Sequence, residues 1–401
     1  MAAGLFELRK DPITGWWVAT VVDRAFHRDR FARAAEPVDD RMFGCANCST
    51  PAGDGVRTRM LKDFAFHVVG TDDQARELDR DLGLAQVSLA QARATGSWRT
   101  VVAPPQEHRP LHAVPIELVE ALVTGARDAL LAARSDGQTE YLTVIQNWGV
   151  QAGARTNHLC LDLYDLPQIP HRIAEELGGA ARFVIREGEC PFCRLVRDEV
   201  RRPDRLVWED ADSVAFAPYA SRSAFEIWIV PRHHDADFSR AGAREIRATA
   251  AALRAVLGRL ASSLDGPPYN LVLHTAPLRE QVDGTYHWHW EIHPRLREIA
   301  GLELGTGLPV NPVSPEDAVE ELLGRAQAEG VVPGDRSGGG RRPRHMRVRG
   351  GVFGPTSVCG LRPMRFPHPQ SECPCRSSDP SPSCATRSAA PPVRWARSGA
   401  P

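Results

Sequence analysis

The sequence predicts an α+β protein built from two repeated halves, each an antiparallel sheet with a packed helix, followed by a disordered C-terminal tail. One order of motifs occurs twice: a C-x-x-C pair, a strand ending in histidine, a helical stretch, a strand, then a strand carrying histidine on one face. The helical stretches are too long to be hairpin turns, so each half reads as a sheet crossed by a helix. Beyond about residue 330 the chain turns to Gly, Pro, Ser and Arg without periodicity, which cannot bury a core. The expected boundaries are 1–178, 179–330 and a tail over 331–401.

In the first half, Cys45 and Cys48 ("CANC") precede the strand-like "WRTVVAPPQEH", which ends at His108. The helical "PIELVEALVTGARDALLAA" follows, then the strand "YLTVIQNW", then "NHLCLDLYDLP". Alternation in this last stretch places His158, Cys160, Asp162 and Tyr164 on one face and Leu159, Leu161 and Leu163 on the other. In the second half, Cys190 and Cys193 ("CPFC") precede "FEIWIVPRHH", ending at His234. The helical "AREIRATAAALRAVLGRLASSL", the strand "YNLVLHTAP" and the strand "YHWHWEIHPR" complete the order. There His287, His289, Glu291 and His293 share one face, and Trp288, Trp290 and Ile292 the other.

With 401 residues and an apolar share of 42%, the chain can bury sizeable cores. Its formal net charge of −1 is unevenly split: residues 335–401 carry +9, leaving the body at −10. An acidic body argues against nucleic-acid binding, which rests on cationic neutralisation of phosphates. No apolar run reaches the roughly 18 residues of a membrane span, and no apolar stretch follows a basic start, so a cytoplasmic protein with no membrane partner is expected. Nine cysteines, including two C-x-x-C pairs, then point to metal chemistry rather than disulfides.

Zinc takes four tetrahedral nitrogen or sulfur ligands, and a C-x-x-C turn supplies two thiolates while distant histidines close the site. The candidate ligands are Cys45, Cys48, His108 and His158 in the first half, and Cys190, Cys193, His234 and His287 in the second. His233 competes with His234, and His274 or His293 is near enough in sequence to replace a ligand. His67, His112 and His171 read as turn or core histidines. The strand of His287, His289, Glu291 and His293 crowds imidazoles against a carboxylate. Such a strand can do nucleotidyl transfer, in which a neutral imidazole attacks an α-phosphorus and later yields it to a second acceptor. Arg295, just beyond it, can hold phosphate oxygens.

The ordered set "DPITGWWV", "CANC", "PPQEH", "GARTNHLCLDLYDLPQIPHRI", "CPFC", "VPRHH", "HTAP" and "YHWHWEIHPRLREIAGLELGTGLPVNPVSPE" resembles the galactose-1-phosphate uridylyltransferase family, the tandem form of the histidine-triad superfamily. The resemblance covers roughly residues 6–325. It implies histidine-triad-like halves, zinc in the first half with zinc or iron at a second site, a homodimer, and UMP transfer between a UDP-sugar and a sugar 1-phosphate. A phosphorylase or hydrolase acting on a nucleotide uses the same fold. The family's first-half strand reads His-Pro-His with a Gln two residues on: a metal ligand, the uridylylated nucleophile and a phosphoryl-steadying amide. Laid on this sequence, these fall at His158, Cys160 and Asp162, so both catalytic positions differ.

Three readings follow from that departure. Cys160 is itself the nucleophile; or the active strand is the second-half one, with His289 as nucleophile beside Glu291; or the domain is a zinc-stabilised nucleotide-binding protein without turnover. The resemblance also marks Arg24, Asn147, Gln151 and Asp162 as candidate substrate-binding residues, beside His293 and Arg295 of the second-half strand. It associates His274, with Glu175 or Glu176, with a second metal.

Overall fold

A computed structural model of the protein describes residues 6–22, 30–39, 56–66, 94–105, 107–136 and 139–328. Cys45, Cys48, Arg24, His67 and the expected tail lie outside the described residues. The two halves share one nine-stranded antiparallel sheet. From the first half come β3 (Arg57–Phe66), β4 (Ala94–Val102), β5 (Tyr141–Trp148) and β6 (Cys160–Leu166). From the second come β7 (Leu206–Glu209), β8 (Ser213–Phe216), β9 (Ile227–Pro231), β10 (Tyr269–His274) and β11 (His289–Pro294). Their order is β3-β4-β6-β5-β10-β11-β9-β8-β7, so the halves join where β5 pairs with β10. A small second sheet pairs β1 (Phe6–Lys10) with β2 (Trp17–Val21), and β12 (Val310–Asn311) runs parallel to β2.

Period-2 alternation decides what each face of the large sheet meets. On one face Val101, Leu161, Leu163, Val144, Leu271, Leu273, Trp290 and Ile229 form a buried core. The helices α1 (Ile116–Asp136) and α4 (Ala243–Leu264) cover it with Val119, Leu122, Leu130, Leu253, Val256 and Leu260. Burying each such side chain contributes about 1.5–3 kcal/mol. Helix α1 lies so close to β4 that a Cβ on Gly125 would stand 2.6 Å from the Val101 side chain, which demands glycine there.

The opposite face is covered unequally. Over the second half lie α2 (His171–Glu187) and α3 (Pro191–Arg201), whose Ala180, Phe192 and Val196 pack with Phe216, Trp228, Val230 and Tyr286 in a second core. Helix α2 stops at Gly188 in the left-handed conformation (φ 75°), and α3 starts with Pro191 at its first turn. Gly179 lets α2 approach the "DPITG" turn, since a Cβ there would meet the Ile13 carbonyl at 2.0 Å. The short helix α5 (Gly301–Thr306) and the terminal α6 (Pro315–Ala328) complete the described residues.

Candidate active site and metal-ligand groups

On this second face the registers align one row across the central strands: Thr100, Asp162, Ile145, Val272, Glu291 and Trp228. The two halves thus offer equivalent acidic positions, Asp162 and Glu291, with Cys160 and His289 one step along the same strands. Their surroundings differ. Cys160 is half-buried, whereas His289 has 0% of its surface exposed. The His289 ring is enclosed by Trp228 at 4.8 Å, Phe192 at 4.9 Å and His274 at 5.0 Å between centroids. His289, offered by the sequence as a nucleophile, is thus enclosed by three rings with no exposed surface.

Glu291 is enclosed in the same way. It is 1% exposed, and its Oε2 accepts from Arg222 at 2.7 Å, while Arg172 stands 3.6 Å from Oε1. Burial would raise its pKa, but Arg222, His274 and Arg172 hold it well below the usual carboxylate range.

The second-half cysteines and histidines come together as expected. One donor atom each from Cys190, Cys193, His234 and His287 lies within 4.8 Å of the others, a set that could hold a metal ion. Cys193 Sγ is 3.3 Å from His234 Nδ1 and 3.6 Å from His287 Nδ1. His234 donates its Nε2–H to the Asp283 carbonyl at 2.5 Å, which leaves Nδ1 facing the sulfur. The bond from Cys190, then the neighbouring His287 and His234, bring the Cys193 thiol down to about 4. His233, its competitor in the sequence, is exposed. In the first half, His108 and His158 put their rings 5.7 Å apart, and His158 Nε2 donates to the Ala103 carbonyl at 3.0 Å.

His274 belongs to a different group. Its Nδ1 donates to Glu176 Oε2 at 3.0 Å, and with His289 and Glu291 these four buried residues form a second set that could hold a metal. Glu176 Oε1, Glu291 Oε1 and His289 Nε2 are buried there without a hydrogen-bond partner, which fits donors facing a cation. Burial opposes ionisation of Glu176, but His274 and His289 bring it down to about 2.

No family model matches the chain. An ADP-glucose phosphorylase of Arabidopsis thaliana is 27% identical over 336 residues, 79% of this chain and 92% of that protein. A galactose-1-phosphate uridylyltransferase of Thermotoga maritima is 26% identical over 235 residues, 57% of this chain and 73% of its own. The solved structure of an ADP-glucose phosphorylase from Arabidopsis thaliana with bound ADP-glucose matches with a TM-score of 0.60 and 25% identity, over 79% of this chain and 98% of that one. The chain is thus similar, over most of its length, to ADP-glucose phosphorylase and to galactose-1-phosphate uridylyltransferase.

The remaining candidate substrate-binding residues fall in three places. Asn147, His293 and Arg295 line a cavity of about 660 Å³ with Arg222, Asn270 and Arg297, and Asn270 donates to Asn147 at 2.7 Å. Such a volume suits a small ligand. Gln151 instead accepts from the Glu36 backbone at 3.1 Å and so holds a neighbouring loop. Asp162, expected to face phosphate, is 7% exposed and taken up by Arg155 at 3.1 Å. Sequence reasoning passed over Arg155, Trp98, Arg172, Arg222 and Glu226. Arg172 and Arg222 reach Glu291 across long sequence gaps, whereas Arg222 and Glu226 are four residues apart and Arg155 and Asp162 seven.

Proposed function

We propose that the protein is a nucleotidyltransferase acting on a nucleoside diphosphate sugar, with Cys160 as the residue that meets the α-phosphate. The observation that carries this reading is the contrast in burial between Cys160, which is half-buried, and His289, which has no exposed surface. A Cys160 thiolate would attack the α-phosphorus, forming a sulfur–phosphorus bond as the bond to the bridging oxygen breaks and sugar 1-phosphate leaves. The acceptor oxygen would then attack the same phosphorus, and the thiolate would leave with its electron pair. With a second sugar 1-phosphate as acceptor and UDP-glucose as donor, this is UMP exchange between sugars.

Phosphate as the acceptor gives a second reading, phosphorolysis to a nucleoside diphosphate. The extent of the match to ADP-glucose phosphorylase, 92% of that protein, favours it. The thiolate and imidazole donors of Cys190, Cys193, His234 and His287 fit zinc as a closed structural set, and the carboxylates and imidazoles of the Glu176 group fit zinc or iron. Cys190 and Cys193 open α3, so a bound ion would tie the start of that helix to the segments that follow β9 and precede β11.

The test mixes protein with UDP-glucose or ADP-glucose, quenches it, and seeks a nucleotidyl adduct by intact and peptide mass. Turnover is then compared with sugar 1-phosphate, phosphate and water. An adduct on Cys160 supports the reading. Retention of the nucleotide sugar without adduct or turnover would leave a binding protein instead.

A further inference from the structure

We infer that Arg155 is the phosphate-holding residue beside Cys160, and that Asp162 is its positioning partner rather than a group facing substrate. The inference rests on the nucleotidyl-transfer reading above and names the residue that makes its phosphate site. Asp162 lies two residues from Cys160 on the same face of β6, about 7 Å along the strand. An uncompensated carboxylate there would repel a diphosphate.

The structure compensates it. Arg155 Nη2 lies 3.1 Å from Asp162 Oδ2 and 3.2 Å from Oδ1, and Trp98 Nε1 donates to Oδ1 at 3.3 Å. Both carboxylate oxygens are therefore engaged, and the Asp162 side chain is 9% exposed. The guanidinium carbon sits 3.7 Å over the Trp98 ring, which itself stacks on Tyr164 at 5.5 Å. Held between a ring and a carboxylate, the Arg155 side chain is nevertheless 46% exposed. Its Nε and Nη1 have no acceptor among the described residues. A planar fork with donors to spare, fixed before any ligand arrives, matches phosphate oxygens and loses little freedom on binding them. What solvent meets beside Asp162, one side-chain position along β6 from Cys160, is thus the cation of the pair.

A purely structural ion pair would show the same contacts, so the experiment separates charge from scaffold. The full chain is titrated calorimetrically with UDP-glucose, ADP-glucose, uridine and adenosine, comparing wild type, Arg155→Gln, Asp162→Asn and the double variant. Arg155→Gln should weaken nucleotide-sugar binding about 30-fold or more, since it removes the donor and bares the buried carboxylate, with nucleoside binding unchanged. Asp162→Asn keeps an acceptor for Nη2, so its affinity should hold within about threefold. The double variant should regain about tenfold of the loss, because the repelling charge is gone.

Equal weakening of all four ligands by both single variants, without recovery in the double, would overturn the inference. So would unchanged nucleotide-sugar affinity in Arg155→Gln, with the nucleotidyl reading left standing. Failure of the wild type to bind either nucleotide sugar would overturn both. Should Arg155→Gln not fold, Arg155→Lys is read in its place: it keeps the charge but loses the fork, and should weaken the nucleotide sugars about fivefold.

Discussion

The strands β6 and β11 occupy equivalent places in the two halves and carry equivalent patterns, yet one presents Cys160 to a half-open face and the other seals His289 inside. The strands do not cause this difference. Helices α2 and α3 lie over the second half, where Phe192 and Tyr286 close on His289, and the described residues place no matching helices over the first. A repeated motif therefore specifies where side chains point, while the elements that pack over it decide whether they react or hold the fold together.

The sharpest break of that comparison is chemical. Cys160→Ala should lower turnover by on the order of 10³-fold and abolish any nucleotidyl adduct, while thermal stability shifts little because the site is half-open. An adduct that persists at full yield in this variant would show that the nucleophile lies elsewhere. His289→Ala should do the reverse. It opens a cavity among Phe192, Trp228 and His274 and removes a buried imidazole, costing about 3 kcal/mol in denaturant unfolding, while an adduct on Cys160 still forms below the melting temperature. Loss of the adduct with stability intact would return His289 to the chemistry.

The second-half cysteine group sharpens the same contrast. Cys193→Ser should remove one equivalent of metal, read by elemental mass spectrometry, and destabilise the fold by several kcal/mol, because ligand binding and folding are coupled in a closed site. Cys160→Ser should leave the metal content untouched. Equal metal content in both variants would argue against Cys193 as a ligand.

Much of this was legible in the sequence. The period-2 runs at 141–148, 160–166 and 269–274 are the strands β5, β6 and β10, and the long apolar-periodic stretches are α1 and α4. Spacing also grouped Cys190, Cys193, His234 and His287, whose donor atoms lie within 4.8 Å of one another. What alternation could not carry was depth. His287, His289, Glu291 and His293 read as one reactive face, but β11 begins at His289, and Arg172 from α2 and Arg222 from the loop before β9 reach Glu291 across long sequence gaps. Asp162 read as a charge facing phosphate although its partner Arg155 lies only seven residues before it, off the strand and so outside the alternation. Counter-charges brought by tertiary packing leave no periodic trace.

The smallest expected effect lies where the two halves are clamped at the edge. Arg9 of β1, its side chain 8% exposed, reaches Glu316 at the start of α6 at 2.8 Å, and Arg205 meets the same carboxylate at 3.1 Å. Burial would raise the Glu316 pKa, but the backbone donor at the helix start, then Arg9 and Arg205, hold it below its ordinary 4.5. A carboxyl depressed in the folded state adds stability that is whole above the unfolded value and is lost as pH falls through the folded one. Glu316→Gln should therefore cost about 1 kcal/mol at pH 7, discounted for partial exposure. That cost should shrink below pH 4.5, so the two acid-unfolding curves converge. Parallel curves down to low pH would mean that Glu316 acts through shape and not through charge. The clamp would then resemble the His289 enclosure more than the Arg155 couple, where charge is the whole of the argument.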